Sequence, residues 1–215
     1  MIEIALITAP RKSRTIKRSV ASLRRAGFTK EITVFSEPDQ GSQPIPGTYW
    51  IFNDEKYGCF KNYTQALWHL VNNSESPFIG VFSDDFNWSK FSYRDVSKIL
   101  FDLDGMFAAY TPLGMKPMMS DKGINIINEG WGVTWGGNYI FYKEDARAIL
   151  EHPMYEDHYQ NYEANQQIDH LIPKVCKDLG INQNFNNPSF CDHIGFESTI
   201  GHQHSLREKG LNFRG

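Results

Sequence analysis

Phe78 to Trp88 reads FIGVFSDDFNW. The apolar run Phe78-Ile79-Gly80-Val81-Phe82 has the length and flanks of a buried strand. It ends at Ser83-Asp84-Asp85, and aromatic residues resume at Phe86 and Trp88. Adjacent carboxylates repel one another, and partial burial makes each costlier. A positive partner is expected there. This short stretch therefore fixes where a strand ends and what chemistry stands at its tip.

The flanking segments alternate between strand and helix patterns. Ile2 to Ile7 is a β-type run that closes at Thr8-Ala9-Pro10. A helix follows, with Ser13 as its N-cap, Ile16, Val20 and Leu23 on one face, and Gly27 as its stop. Glu31–Phe35 and Thr48–Phe52 read as the next strands, and Tyr63, Ala66, Leu67, Leu70 and Val71 mark a second helix. Ser92 and Asp95 have capping-box spacing ahead of Val96, Ile99, Leu100 and Leu103. Further strands are expected at Met106–Tyr110, at Asn138–Tyr142 and around Ser189–Ile194. Helices are expected at Glu144–Leu150 and within Glu163–Leu179, where Pro173 begins or interrupts the last one. From Thr111 to Trp135 no period holds, which predicts a long irregular loop.

This order predicts a single α/β domain with a mainly parallel central sheet flanked by helices. Ligands in such sheets bind beyond the carboxyl ends of the strands. Thr8-Ala9-Pro10, Ser36-Glu37 and Ser83-Asp84-Asp85 then lie along one rim, with Arg11 and Arg14 close by.

A chain of 215 residues, 40% hydrophobic and 22% charged, suits one globular domain with a sizeable core. The aromatic share of 14% serves either a core or a stacking site for sugars and bases. A net charge of −3 argues against nucleic acid as a partner. Seven basic residues and no acid fall between Arg11 and Arg25, however, and a local patch of that kind suits one small anionic ligand. Lys17, Arg18, Arg24 and Arg25 read as a solvated helix face. Cys59, Cys176 and Cys191 contain no CxxC and fit free thiols in a reducing compartment, which points to the cytoplasm. No apolar run approaches the roughly 20 residues that span a bilayer, and no signal-peptide pattern opens the chain. The sequons at Asn62, Asn72 and Asn87 read as chance matches.

A divalent cation answers the question of the paired carboxylates. Mg²⁺ or Mn²⁺ takes one or two carboxylates and completes its shell with phosphate oxygens and water. The pair therefore implies a diphosphate ligand whose charge Arg11 or Arg14 shares. The competing reading is two solvated Asp residues at a turn, where Asp is common.

Six short segments, in order, resemble the GT-A family of nucleotide-sugar-dependent glycosyltransferases. They are IALITAPRKSRTIKRSVASL, GCFKNYTQALWHL, VFSDDF, GWGVTWGGNYIFYKEDARAIL, NQQIDHLIPKVCKDLG and PSFCDHIGFESTIG. The whole is also similar to glycosyltransferase domains encoded by large algal (chlorella) viruses, which would put it in the host cytoplasm. The resemblance implies a GT-A (Rossmann-like) domain over residues 1–215. Its nucleotide-binding part covers about 1–110 and its acceptor-side part about 111–215. VFSDDF departs from the family's acidic motif at its first position, which is Ser83 rather than Asp or Glu.

Carried over by the resemblance, Asp85 and His193 are the metal ligands, and Asp84 touches ribose or the metal through water. Thr8, Ala9, Pro10, Arg11 and Arg14 hold the nucleotide, Glu37 meets its base or ribose, and Lys61 and Asn62 approach the diphosphate. Gly136, Gly137 and Asn138 close on the donor sugar. The donor implied is a UDP-sugar, the acceptor a glycan hydroxyl, and the cofactor Mn²⁺ or Mg²⁺. Asp169 is the candidate catalytic base of an inverting enzyme, with Glu163 second. In a retaining enzyme Asp169 or Gln166 instead supports the positive sugar. A C-terminal metal histidine leans the reading towards retention. His202 and His204 read as tail residues or acceptor contacts. A sugar nucleotidyltransferase shares the fold but usually opens with a Gly-rich loop, where this chain has TAPRKSRT. A non-catalytic carbohydrate-binding module would need the aromatics alone.

Overall fold

The computed structural model describes residues 1–10, 14–38, 43–120, 122–128, 138–161, 168–194 and 209–214. Strands β1 (Ile2–Thr8), β2 (Ile32–Ser36), β3 (Thr48–Phe52) and β4 (Phe78–Ser83) are mutually parallel and lie side by side as β3-β2-β1-β4. Helices α1 (Ile16–Ala26) and α2 (Gly58–Asn73) make the crossovers. The second half of the chain extends the same sheet. From β4 the order runs through β8 (Tyr139–Tyr142), β6 (Met106–Ala108) and β9 (Gln183–Asn187) to β7 (Gly123–Ile126). Strand β8 is antiparallel to β4 and β6, β9 is parallel to β6, and β7 is antiparallel to β9. One mainly parallel sheet thus unites both halves.

Strand β1 shows why the sheet is buried on both faces. Ile2, Ile4 and Leu6 join a cluster with Val20 and Leu23 of α1 and Val96 of α3 (Ser92–Phe101). Ala5 and Ile7 join the opposite cluster with Phe60, Leu67 and Leu70 of α2. That second layer also holds α4 (Lys143–Leu150), α5 (Pro153–Gln160) and α6 (Ile168–Leu179). Continuous apolar strands are what two covered faces require. Gly80 in the middle of β4 has a packing reason. A Cβ there would stand 3.1 Å from the Tyr139 carbonyl and 3.0 Å from the Phe82 ring.

Several expectations from sequence hold. Gly27 adopts φ 107° and its N–H caps the carbonyls of Leu23 and Arg24, as a left-handed helix stop should. β3 runs from Thr48 to Phe52, as its pattern indicated.

Others are corrected. Ser92 does not cap α3; it is the helix's first residue, its hydroxyl is buried without a partner, and Phe91 precedes it at φ 64°. Asp95 instead pairs with Arg94 at 3.3 Å, so no capping box forms. Arg24 is no solvated side chain, because its guanidinium bonds the carbonyls of Phe28, Lys30 and Gly47. The stretch expected to be an irregular loop contains a 3₁₀ turn at Leu113–Met118 and edge strand β7. Pro173 neither starts nor breaks α6 but sits inside it. Ser13, the expected N-cap of α1, lies outside the described residues; Thr15 occupies the cap position. No described helix is long and apolar enough to cross a membrane.

Candidate functional site

The carboxyl ends of β1, β2 and β4 are level: Thr8 pairs with Ser36, and Ile7 with Ser83. Strand order reverses here, since β2 and β3 lie on one side of β1 and β4 on the other. A crevice at such a switch point is where open α/β sheets take ligands.

The two adjacent carboxylates turn opposite ways. Asp84 is 2% exposed and accepts from Thr8 Oγ1 at 2.6 Å and Thr15 Oγ1 at 3.3 Å. It lies at the N-terminal end of α1, where a helix favours negative charge. Ser19, one turn further along α1, reaches the carbonyls of Asp84 and Phe86. Hydroxyls and a helix end therefore help to offset the charge of Asp84.

Asp85 faces the other way, and a second, small sheet brings it a partner. After the acidic turn the chain forms β5 (Phe86–Trp88), which pairs antiparallel with β10 (Cys191–His193), His193 opposite Phe86. The Ile194 N–H donates to the Asp85 carbonyl at 2.7 Å and extends the pairing by one rung. Across 108 positions of sequence, His193 Nε2 comes to 3.2 Å from Asp85 Oδ2. The imidazole stands edge-on to Phe86 at 5.1 Å, and Phe86 packs edge-on to Tyr110 at 4.9 Å. The His193 side chain is 33% exposed and that of Asp85 12%. A carboxylate oxygen and an imidazole nitrogen so placed fit a divalent ion that keeps positions open for phosphate and water. Among the described residues no group of three or more His, Cys, Asp or Glu converges on one point, so no all-protein cage is present there.

Glu37, one residue past β2, sits under the start of α2. Its Oε2 accepts from Tyr57 N at 2.8 Å, and its own N–H donates to the Thr8 carbonyl. Burial pushes its carboxyl above the ordinary value of 4.5, against the backbone donors of Tyr57 and Gly58 and the charge of Lys56. Asn138, just before β8, accepts from Ser83 N at 3.1 Å through Oδ1, while its buried Nδ2 has no partner. Asp169 is in the first turn of α6, with Tyr139 Oη 3.4 Å away.

Other expected residues are placed differently. Asn62 is 2% exposed and ties β2 to the end of β3, through Phe35 O at 3.3 Å and Asn53 Nδ2 at 3.0 Å. Lys61 turns to α5, its ammonium 5.4 Å over the Tyr159 ring. Thr8 directs its hydroxyl to Asp84, while Ala9 is half-buried and Pro10 and Arg14 are exposed beside it. Arg11, Gly136, Gly137, Glu163, Gln166, His202 and His204 lie outside the described residues. Sequence reasoning missed Thr15 and Ser19. Their four-residue spacing on α1 was legible, but nothing in it named the carboxylate they serve. It also missed Tyr139 beside Asp169.

Solved structures with a similar fold include S. aureus TarS (residues 1–349), with a TM-score of 0.58, 12% identity, 88% of this chain and 59% of that one covered. A nucleotidyl transferase from Methanothermobacter matches at 0.54 and 12%, with 86% of each chain covered. A putative glucose-1-phosphate thymidylyltransferase from Bacillus anthracis, in complex with a sucrose, matches at 0.54 and 14%, covering 90% of this chain and 89% of that one. The fold is the Rossmann-like GT-A and nucleotidyltransferase type. No protein-family model matches the chain, and no curated protein matches it in sequence. The chain spans about three fifths of the TarS structure it matches.

Proposed function

We propose that the chain is a metal-dependent glycosyltransferase that moves a sugar from a nucleoside diphosphate sugar, a UDP-sugar by the family resemblance, to a hydroxyl of a glycan acceptor. The observation that carries the reading is the meeting of Asp85 and His193, at 3.2 Å, beside the switch point of the sheet. Asp85 and His193 would hold Mn²⁺ or Mg²⁺. Such an ion supplies a Lewis acid that stabilises charge on a departing diphosphate.

The chain's own groups have distinct tasks in this reading. Exposed Arg14 shares the diphosphate charge beside the first strand. Glu37 accepts from the base or ribose, near the end of β2. The unpartnered Nδ2 of Asn138 donates to an oxygen of the donor, which would satisfy a buried polar atom otherwise left unpaired. Asp84 acts at one remove: it fixes the acidic turn against α1 and leaves Asp85 to meet His193. In the transfer, the bond from the anomeric carbon to the diphosphate breaks and a bond to the acceptor oxygen forms. In a retaining enzyme the acceptor proton passes to the leaving phosphate, and Asp169 supports the positive sugar.

A screen of nucleotide sugars with Mn²⁺, reading nucleoside diphosphate release, tests the proposal against Asp85→Ala. Release in the native chain and none in the variant supports it; equal release in both overturns it.

A second reading has its own support. The two nucleotidyltransferase structures cover more of their own length than TarS does. Pyrophosphate release from a nucleoside triphosphate and a sugar 1-phosphate would favour that reading. The glycine-free loop after β1 favours the glycosyltransferase.

A further inference from the structure

Away from the rim, helices α2 and α5 flank an open hollow of about 170 Å³. Trp68 and Tyr159, both half-buried, are among its aromatic lining residues, with Leu150, Thr64 and Tyr155 buried alongside. The Tyr155 hydroxyl is tied to Thr64 at 2.8 Å. The Lys61 ammonium over the Tyr159 ring steadies one aromatic group, and Phe60 packs beside it, ring centroids 6.3 Å apart. Glu156 and Gln160 complete the lining, joined at 2.7 Å on one exposed face of α5.

This combination is selective. Aromatic rings offer π faces to the C–H face of a pyranose, and a carboxylate beside an amide offers an acceptor and donors to neighbouring hydroxyls. A purely apolar side chain would leave that polar edge unused, and a phosphate would meet the charge of Glu156. The volume is below that of a site for a drug-sized ligand and suits a single sugar ring. Thr64 is six residues into α2, so at 1.5 Å per residue it lies roughly 9 Å below the rim where α2 begins. The hollow is therefore set apart from the chemistry at Asp85.

We propose that the hollow between α2 and α5 binds one sugar residue of the acceptor glycan, remote from the hydroxyl that receives the transferred sugar. The assignment of that sugar to an acceptor rests on the glycosyltransferase reading; the sugar-binding property of the hollow does not. Contacts remote from the reacting centre can be used to orient it.

The test is saturation-transfer NMR on the full chain, without metal or nucleotide, using methyl glycosides of common hexoses and the corresponding disaccharides. At least one pyranoside should take up saturation from aromatic protons. Trp68→Ala and Tyr159→Ala should each weaken binding about tenfold, and Glu156→Ala several-fold, while Asp85→Ala leaves it unchanged. No uptake by any glycoside, or uptake that survives both aromatic substitutions, overturns the proposal. If Trp68→Ala lowers the melting temperature, the exposed pair Glu156→Ala and Gln160→Ala decides. Loss of binding then supports the subsite and unchanged binding overturns it. Metal-dependent nucleotide binding, followed by calorimetry, reports on the glycosyltransferase reading separately, because neither ligand is present in the sugar titration.

Discussion

Thr8 Oγ1 donates to Asp84 Oδ2 at 2.6 Å, across 76 positions of sequence. The inner of two adjacent carboxylates thus locks the end of β1 to the acidic turn, and the outer one alone reaches His193. This division of labour separates stability from activity. Asp84→Ala strands the hydroxyls of Thr8 and Thr15 and should lower the unfolding free energy by about 2–3 kcal/mol in urea titrations. Asp85→Ala should change it by less than about 1 kcal/mol. Equal losses in the two variants would contradict the assignment.

The Asp85–His193 pair makes a metal prediction. Replacing His193 with Ala should weaken Mn²⁺-dependent binding of a nucleoside diphosphate by about 10–100-fold in calorimetry, with circular dichroism unchanged. Binding that is the same with and without Mn²⁺ in the native chain would remove the basis for this site.

Glu37 makes a pH prediction. Its carboxyl titrates above the ordinary 4.5 when folded, chiefly because burial disfavours the charge. The folded state therefore holds this proton more tightly than the unfolded state does. Ionisation costs stability: the cost is absent below pH 4.5 and complete above the folded pKa. Relative to Glu37→Gln, the native chain should lose stability as pH rises from that value towards neutrality. Unfolding titrations across that window would refute the cause if the two curves stayed parallel.

Gly105 precedes β6 at φ 98°, and a Cβ on it would stand 2.4 Å from the Asn182 carbonyl oxygen. Gly105→Ala combines left-handed strain with a backbone clash and should cost upwards of about 2 kcal/mol in thermal unfolding. Gly180 also has positive φ, but open space surrounds it. Gly180→Ala should cost about 1 kcal/mol, the strain alone.

The stereochemical prediction is retention. Proton NMR of the glycosylated product should show the anomeric configuration of the donor. Inversion, together with complete loss of transfer in Asp169→Asn, would instead make Asp169 the general base.

The first half of the fold was legible because its signals are local. Apolar runs bounded by turns, a helical face at Ile16, Val20 and Leu23, and a glycine stop each follow from a few neighbouring residues. Strand β9 was not legible. Its sequence, Gln-Asn-Phe-Asn-Asn, lacks β-branched residues, and tertiary hydrogen bonds hold it. Asn184 Nδ2 reaches the carbonyls of Asp104 and Met106, and Asn187 Nδ2 reaches Ser120. Helix α5 was missed for a related reason. Its one buried residue, Tyr155, gives no periodic face. Ser92 had the right spacing for a cap, but the chain enters α3 through Phe91 and leaves Ser92 one position too far in.

By itself the sequence determined an α/β domain whose strands end in Thr8, Glu37 and the Asp84-Asp85 pair. Those are features of neighbouring residues and their periodicity. Only the tertiary structure decided which carboxylate is held by hydroxyls, because that depends on Thr8 and Thr15 reaching one of the two. Only it could bring His193 to Asp85, because antiparallel pairing of β10 with β5 closes a long loop. The resemblance could name that histidine; the contact itself depends on the register of two three-residue strands.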